Sequence, residues 1–322
     1  MPEILSGKEV QQAILHQLQP RIASFRESTG RPPGLAVILV GHNPASQIYV
    51  RNKVKACQEL GIYSEQYNPP ETTTTEDVVQ LVESLNRRPD IDGILVQMPL
   101  PAQVDAQRVI LTIDPAKDVD GFHPYNLGQL VSGRPGLRPC TPAGIMRLLE
   151  HYRIPVAGKK AVVIGRSDIV GKPMALMLLH AHATVTICHS RTADLAAEAR
   201  QADLLVVAAG KPALVTAEFI KPGAVVVDVG INRVTDRARV EELFGDDPDK
   251  LTSFEKTGSV LVGDVHPRDV RQRAGAYTPV PGGVGPLTIA MLMANTVEAA
   301  ERRLCKCSAS GSLAGWQQGS PT

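Results

Sequence analysis

Apolar positions along this chain follow two rhythms. In residues 7–29 they recur three and four apart, at Val10, Ile14, Leu18, Ile22 and Phe25, which predicts a helix ended by Pro32-Pro33-Gly34. Leu35–Val40 is instead an unbroken apolar run, as expected of a parallel strand covered on both faces, and Gly93–Gln97 is a second buried strand with a polar residue at its end. Between them a helix is expected from Ser46, its cap, with Val50, Val54 and Cys57 turned inward and Gly61 closing it. Thr72–Thr75 precede a further helical pattern at Val78, Val79, Leu81, Val82 and Leu85, and another helix is expected near 103–113. Residues 127–140 read as a loop, and Thr141-Pro142 opens a helix through Leu149 with Thr141 as cap.

Past Pro155 and Gly158 the pattern becomes strand, glycine turn, helix, strand. Strands are predicted at 159–164, 183–188, 203–208, 224–229 and 260–262, with a loop at Gly165–Pro173 and a helix at Met174–His180. This βαβ spacing is that of a nucleotide-binding unit, although the turn is not GxGxxG. Tyr277–Thr288 is a Gly/Pro-rich loop that admits close approach of a ligand or another segment, and it leads into a long helix, Ile289–Arg303. The chain is expected to divide into one domain of residues 1–141 plus 286–304 and a second of 142–285, with 305–322 a flexible tail.

Composition removes several classes. A net charge of +1 with 4% aromatic residues gives no case for nucleic acid or an acidic membrane surface. No apolar run reaches the roughly 20 residues that span a bilayer, and no basic segment followed by an apolar run opens the chain, so a cytoplasmic protein is expected. The five cysteines are scattered, which suggests neither disulfides nor zinc. His180-Ala-His182 reads as a helix end, and no metal is expected.

The candidate chemistry sits at strand and helix ends. Tyr49 and Lys53, four apart, share one helix face. In isolation such a pair also reads as a surface lysine beside an incidental tyrosine. Gln97 ends a buried strand, where open α/β sheets bind ligands, or it ties down a neighbouring loop. Lys117-Asp118-Val119-Asp120-Gly121 makes a tight turn whose carboxylate suits a ligand's N–H groups better than calcium. After the second strand of the βαβ unit, NAD sites carry an acidic residue; here Ser190-Arg191 stands there, which suits a 2′-phosphate and argues for NADP. Arg166, in the first turn, is a second candidate.

The segments YVRNKVKACQELGI, GILVQMPLP, KDVDGFHPYN, PCTPAGI, VIGRSDIVGKP, VVDVGIN, GDV and TPVPGGVGPLT resemble the bifunctional methylenetetrahydrofolate dehydrogenase/cyclohydrolase family (FolD type), over residues 2–304. The resemblance implies two α/β domains joined by long helices: an N-terminal folate-binding catalytic domain and a Rossmann-type NADP-binding domain. It implies NADP-dependent oxidation of 5,10-methylenetetrahydrofolate, then hydrolysis of the methenyl product to 10-formyltetrahydrofolate, in one-carbon and purine metabolism. The family's catalytic residues map onto Lys53, Tyr49 and Gln97. Its folate contacts map onto Tyr49, Pro99, Asp120, Gly282 and Gly283, and its NADP contacts onto Gly165, Arg166, Ser167, Ser190 and Ile231. The family's usual form is a homodimer joined through the nucleotide domains. Alternatives are a dehydrogenase without the second activity, or a non-catalytic folate- or nucleotide-binding protein. The tail after residue 304 has no counterpart in the resemblance.

Overall fold

The computed structural model describes residues 1–245 and 247–313, with side chains except at Ala45 and 306–313. In chain order the elements are β1 (Glu3–Ile4), α1 (Gly7–Thr29), β2 (Gly34–Ile38), α2 (Pro44–Leu60), β3 (Tyr63–Tyr67), α3 (Thr75–Arg87), β4 (Gly93–Val96), α4 (Ala106–Thr112), α5 (Pro124–Val131) and α6 (Cys140–His151). They continue with β5 (Lys160–Ile164), α7 (Gly171–His180), β6 (Thr184–Cys188), α8 (Leu195–Ala199), β7 (Leu204–Val207), β8 (Val225–Asp228), β9 (Asn232–Val234), α9 (Arg237–Phe244), α10 (Pro248–Thr257), β10 (Val260–Val262), α11 (Pro267–Arg273), β11 (Ala276–Tyr277) and α12 (Val284–Leu313).

The chain forms two compact units. An N-terminal unit comprises residues 13–140 and those from Ile289 onward; a central unit comprises Met1–Gln12 and Thr141–Thr288. The first twelve residues thus group with the central unit, because β1 pairs with β11 and Leu5 N–H donates to the Tyr277 carbonyl at 2.8 Å. A two-residue strand with both residues exposed has no sequence pattern that would assign it to a sheet.

In the N-terminal unit, β3-β2-β4 form a parallel sheet. Ile38, Ile94 and Val96 pack with Val78, Val82 and Leu85 of α3 and Val109 of α4. Thr74 and Asp77 form a reciprocal cap at the start of α3. Lys117 is 2% exposed, and its Nζ donates to the Leu85, Asn86 and Arg88 carbonyls at 2.7–2.9 Å, so an ammonium closes the other end of α3. Burial lowers that ammonium to about 8. Ile94 N–H donates to the Lys117 carbonyl at 2.8 Å, which lays the Lys117–Asp120 segment alongside β4.

In the central unit six parallel strands run β1-β11-β8-β7-β5-β6. Alternate residues face two cores. Val162, Ile164, Leu205 and Val207 serve one; Ala161, Val163, Leu204 and Val206 serve the other. Both faces are therefore covered, as in doubly wound folds. Val260–Val262 is not part of this sheet. It pairs antiparallel with β9, and the two strands share a small core with Val240, Leu243 and Phe244 of α9.

Several local expectations change. Ser46 is not the cap of α2: the helix starts at Pro44, and the Asn43 side chain accepts from Ser46 N–H at 3.1 Å. Part of the expected 127–140 loop is α5, capped by His123. Thr141 lies inside α6, and its hydroxyl bonds the Thr288 hydroxyl at 2.9 Å. Residues 305–313 of the expected tail belong to α12, which continues to Leu313; residues 305–310 contain neither glycine nor proline to stop it. Residues 314–322 lie outside the described residues.

Candidate active site

In the N-terminal unit α2 carries Lys53 and Tyr49, and the end of β4 carries Gln97. Lys53 is 7% exposed, and its Nζ donates to Gln97 Oε1 at 3.0 Å. Gln97 is oriented in turn, because its Nε2 donates to the Met98 carbonyl at 2.7 Å. The acceptor end of the amide therefore faces the lysine. Tyr49, one turn away, is 39% exposed and its hydroxyl makes no hydrogen bond among the described residues, which leaves a ring free to lie against a ligand. Pro99 follows as an exposed residue after a cis Met98–Pro99 peptide.

The two aspartates of the tight turn have different jobs. Asp118 is buried and accepts from Phe122 N–H, His123 N–H and Asn126 Nδ2 at 2.8–3.2 Å, so it builds the turn. No hydrogen bond reaches the Asp120 carboxylate among the described residues. Burial raises it to about 6; the Lys53 ammonium opposes this and the Asp118 carboxylate adds to it. Cys140 is buried against the same charges, and burial pushes its thiol well above the usual range. Lys53, Gln97 and Asp120 therefore form one polar cluster, with an acid/base group and an unspent acceptor.

Sequence reasoning missed Asn295. It is 2% exposed on α12, and its Nδ2 donates to the Val119 carbonyl at 2.8 Å and the Arg138 carbonyl at 2.9 Å. The available signal was a polar pair, Asn295-Thr296, in phase with the buried Leu292, Met293 and Val297 of that helix.

The nucleotide-side candidates all lie in the central unit, at the C-terminal ends of adjacent strands. Ile164 of β5 and Cys188 of β6 are paired, so Gly165-Arg166-Ser167 and Ser190-Arg191 emerge side by side. Gly165 has φ of 130°, and a Cβ there would lie 2.3 Å from the Ala208 carbonyl oxygen. A Cβ on Gly171 would lie 2.2 Å from the Gly165 oxygen, so the turn folds tightly onto the start of α7. Ser167 Oγ accepts from Val170 and Gly171 N–H at 3.2 and 3.3 Å, which makes it the organiser of that turn. Arg166, Ser190 and Arg191 are exposed, and neither guanidinium has an ion pair or hydrogen bond among the described residues. Two unspent guanidiniums and a hydroxyl beside a glycine turn fit a phosphorylated dinucleotide. Ile231, past the end of β8, is 43% exposed.

Gly282 and Gly283 are used by the fold itself. Gly282 has φ of 104° and accepts from Gly7 N–H at 3.0 Å; a Cβ on Gly283 would lie 2.6 Å from the Pro279 oxygen. Beneath this loop Asp228 is buried and accepts from Gly230, Asp264 and Val265 N–H at 2.9–3.0 Å. Burial raises it to about 7, and the Asp264 carboxylate adds to that. Asp264 is itself fully enclosed, and accepts from Ala209, Gly210 and Lys211 N–H and from Asn232 Nδ2. The VVDVGIN and GDV segments thus work as a carboxylate-to-backbone lock.

Two family models match the chain: the tetrahydrofolate dehydrogenase/cyclohydrolase catalytic domain over residues 5–120, and its NAD(P)-binding domain over 139–304. The chain belongs to the tetrahydrofolate dehydrogenase/cyclohydrolase family. Within it, the bifunctional protein FolD of Solibacter usitatus is 60% identical over 95% of this chain and 100% of its own length. The bifunctional methylenetetrahydrofolate dehydrogenase/cyclohydrolase of Campylobacter jejuni superposes with a TM-score of 0.85, at 45% identity over 94% of this chain and all of its own. The Trypanosoma brucei enzyme, solved with NADP cofactor and an inhibitor, gives a TM-score of 0.84 at 39% identity, over 94% of this chain and 99% of that one.

Proposed function

We propose that this chain oxidises 5,10-methylenetetrahydrofolate with NADP⁺ and hydrolyses the methenyl product to 10-formyltetrahydrofolate, with Lys53 moving the proton of the second reaction. The observation that carries this reading is the pairing of the oriented Lys53–Gln97 contact with the unspent Asp120 carboxylate, in a chain of the dehydrogenase/cyclohydrolase family. Bound NADP⁺ would supply a hydride acceptor. Loss of hydride from the N5–CH₂–N10 bridge gives a resonance-stabilised amidinium and releases no proton, so the protein's task there is positioning. Hydrolysis differs. Water adds to the amidinium carbon and loses a proton; one nitrogen then takes a proton up and its C–N bond breaks as the remaining hydroxyl gives up its proton to become the formyl carbonyl, so that one proton is released overall. The Lys53 nitrogen, held by Gln97 Oε1, accepts the water's proton in its neutral form and returns it to the leaving nitrogen as the ammonium. Gln97 fixes the amine, Tyr49 lies against the folate ring, and Asp120 accepts from the pterin amino group and ring N–H.

Asp120 gives the test. A carboxylate raised to about 6 is ionised, and able to accept two N–H groups, only above that pH. The kcat/KM for methylenetetrahydrofolate is therefore expected to fall about tenfold per unit as pH drops through that value. Asp120→Asn should raise KM and abolish the acid limb; an unchanged limb in that variant would contradict the assignment.

NADP rather than NAD is read from Ser190, Arg166 and Arg191. Arg191→Ala is expected to raise KM for NADP⁺ about tenfold while changing that for NAD⁺ less than about twofold, since only the former has a 2′-phosphate for the guanidinium to bind. Equal effects on both cofactors would remove Arg191 from the phosphate site.

We further propose a cytoplasmic homodimer joined through the central unit. β6 is an edge strand of the six-stranded sheet, with Ile187 43% exposed on it. No helix among the described residues is long and apolar enough to cross a membrane. Light scattering should give twice the chain mass.

A further inference from the structure

Asp120 hangs between two backbone neighbours that are both pressed onto the 138–140 segment. On one side, the Val119 carbonyl accepts from Asn295 Nδ2 at 2.8 Å and from Cys140 Sγ at 3.2 Å. On the other, Gly121 has φ of 76°, and a Cβ there would lie 2.5 Å from the Arg138 carbonyl carbon and the Pro139 nitrogen. The same Asn295 amide donates its second N–H to the Arg138 carbonyl at 2.9 Å. One planar group thus ties together the segment leading into Asp120 and the segment on which Gly121 rests. Cys140 Sγ lies 3.5 Å from Asn295 Nδ2, so the thiol shares the knot. The neighbouring Thr296 differs: its hydroxyl donates only to the Leu292 carbonyl of its own helix, 2.8 Å away.

We propose that Asn295 is a positioning residue for the folate: by holding the Val119 and Arg138 carbonyls, it sets the direction in which the Asp120 carboxylate meets a heterocycle that presents two adjacent N–H donors. This inference rests on the proposed role of Asp120. Asn295 does not touch the substrate. It acts because a carboxylate that accepts two N–H groups needs its plane fixed, and the Asp120 side chain has no hydrogen bond of its own among the described residues to fix it. The peptide frame on either side must do so. A rotation of the Val119–Asp120 peptide would leave the Val119 carbonyl buried and unpaired, which is why an amide with two donors holds it so firmly.

The test is a double-mutant cycle on the full chain, read by steady-state kinetics with both substrates. Asn295→Leu keeps the branched side-chain shape and removes both donors. It is expected to raise KM for methylenetetrahydrofolate about tenfold, with KM for NADP⁺ within about twofold. Because the effect passes through Asp120, the same substitution in an Asp120→Asn background should change the folate KM less than about twofold. Asn295→Ser, smaller and still polar, is measured alongside and substitutes for the leucine variant if that one does not fold. A tenfold rise that persists in the Asp120→Asn background, or an equal rise in both KM values, would overturn the inference and leave Asn295 a packing residue. If Asp120→Asn raises the folate KM and the Asn295 variants do not, the inference fails and the proposed function stands. If Asp120→Asn itself leaves the folate KM unchanged, the role of Asp120 falls and takes this inference with it.

Discussion

Replacing Lys53 with methionine is expected to abolish hydrolysis of methenyltetrahydrofolate, by at least about a hundredfold, the usual scale for a lost general acid/base. Methionine matches the length of the lysine stem and suits a position that is 7% exposed, so the fold and nucleotide binding should persist. Gln97 Oε1 loses its donor but keeps its second anchor, since Nε2 still bonds the Met98 carbonyl. Hydride transfer from methylenetetrahydrofolate, which moves no proton, should survive in the same variant. Lys53→Arg sharpens the point. Arginine retains the positive charge but does not give up its proton, so it should be as inactive in hydrolysis as methionine if proton transfer is the role. Isolated methenyl turnover and methylene oxidation, measured on each variant, separate the two steps. Hydrolysis by Lys53→Arg at the native rate would show that only charge is needed.

The second large effect is expected in the central unit. Gly263→Ala places a Cβ 1.8 Å from Asp228 Oδ2 and 2.5 Å from its Cγ. The aspartate has nowhere to go, because three backbone N–H groups hold it and it lies in the core under the 277–283 loop. Relief requires breaking those bonds around a buried carboxylate. The cost is expected to be about 3 kcal/mol or more, which for a unit of this size lowers Tm by roughly 6–12 °C. NADP⁺ affinity should fall with it. Thermal unfolding followed by circular dichroism checks this, and a transition within a degree of the native one would mean that the Asp228 lock is looser than its geometry.

How much of this was legible in the sequence depends on how far each feature is local. The helices of residues 7–29 and 75–87 and the strands at Gly34–Ile38, Gly93–Val96 and Lys160–Ile164 follow from periodicity alone, since their apolar residues are the ones that the cores bury. β3 was not legible. Its sequence, Tyr63-Ser64-Glu65-Gln66-Tyr67, is polar because the strand is a partly exposed edge, with Glu65 taking hydrogen bonds from Tyr63, Tyr67 and Arg88. The α9–α10 hairpin was equally hidden, because it buries a small core of its own and carries mostly charged residues outside it.

The candidate site divides in the same way. The spacing of Tyr49 and Lys53 puts them on one helix, but their burial differs sharply, and only the fold decides which of the two is enclosed. Gln97 reaches Lys53 across forty-four positions, a meeting that depends on α2 crossing the end of β4. Asp118 and Asp120 look alike in the sequence; the hydrogen bonds to Asp118 and their absence, among the described residues, at Asp120 tell them apart. For Asn295 the sequence marks a buried polar position on the helix but not what it holds. Its partners, Val119 and Arg138, are carbonyls more than a hundred and fifty residues away, and a carbonyl leaves no mark in a sequence.

One chain is expected to carry both reactions. The direct measurement gives the unmodified protein methylenetetrahydrofolate with NADP⁺ or NAD⁺, and follows reduced cofactor and 10-formyltetrahydrofolate together. Reduced cofactor forming faster with NADP⁺, with 10-formyltetrahydrofolate accumulating and no build-up of the methenyl intermediate, is the expected result. Reduction that stops at methenyltetrahydrofolate, or folate binding with no reduction of either cofactor, would contradict it.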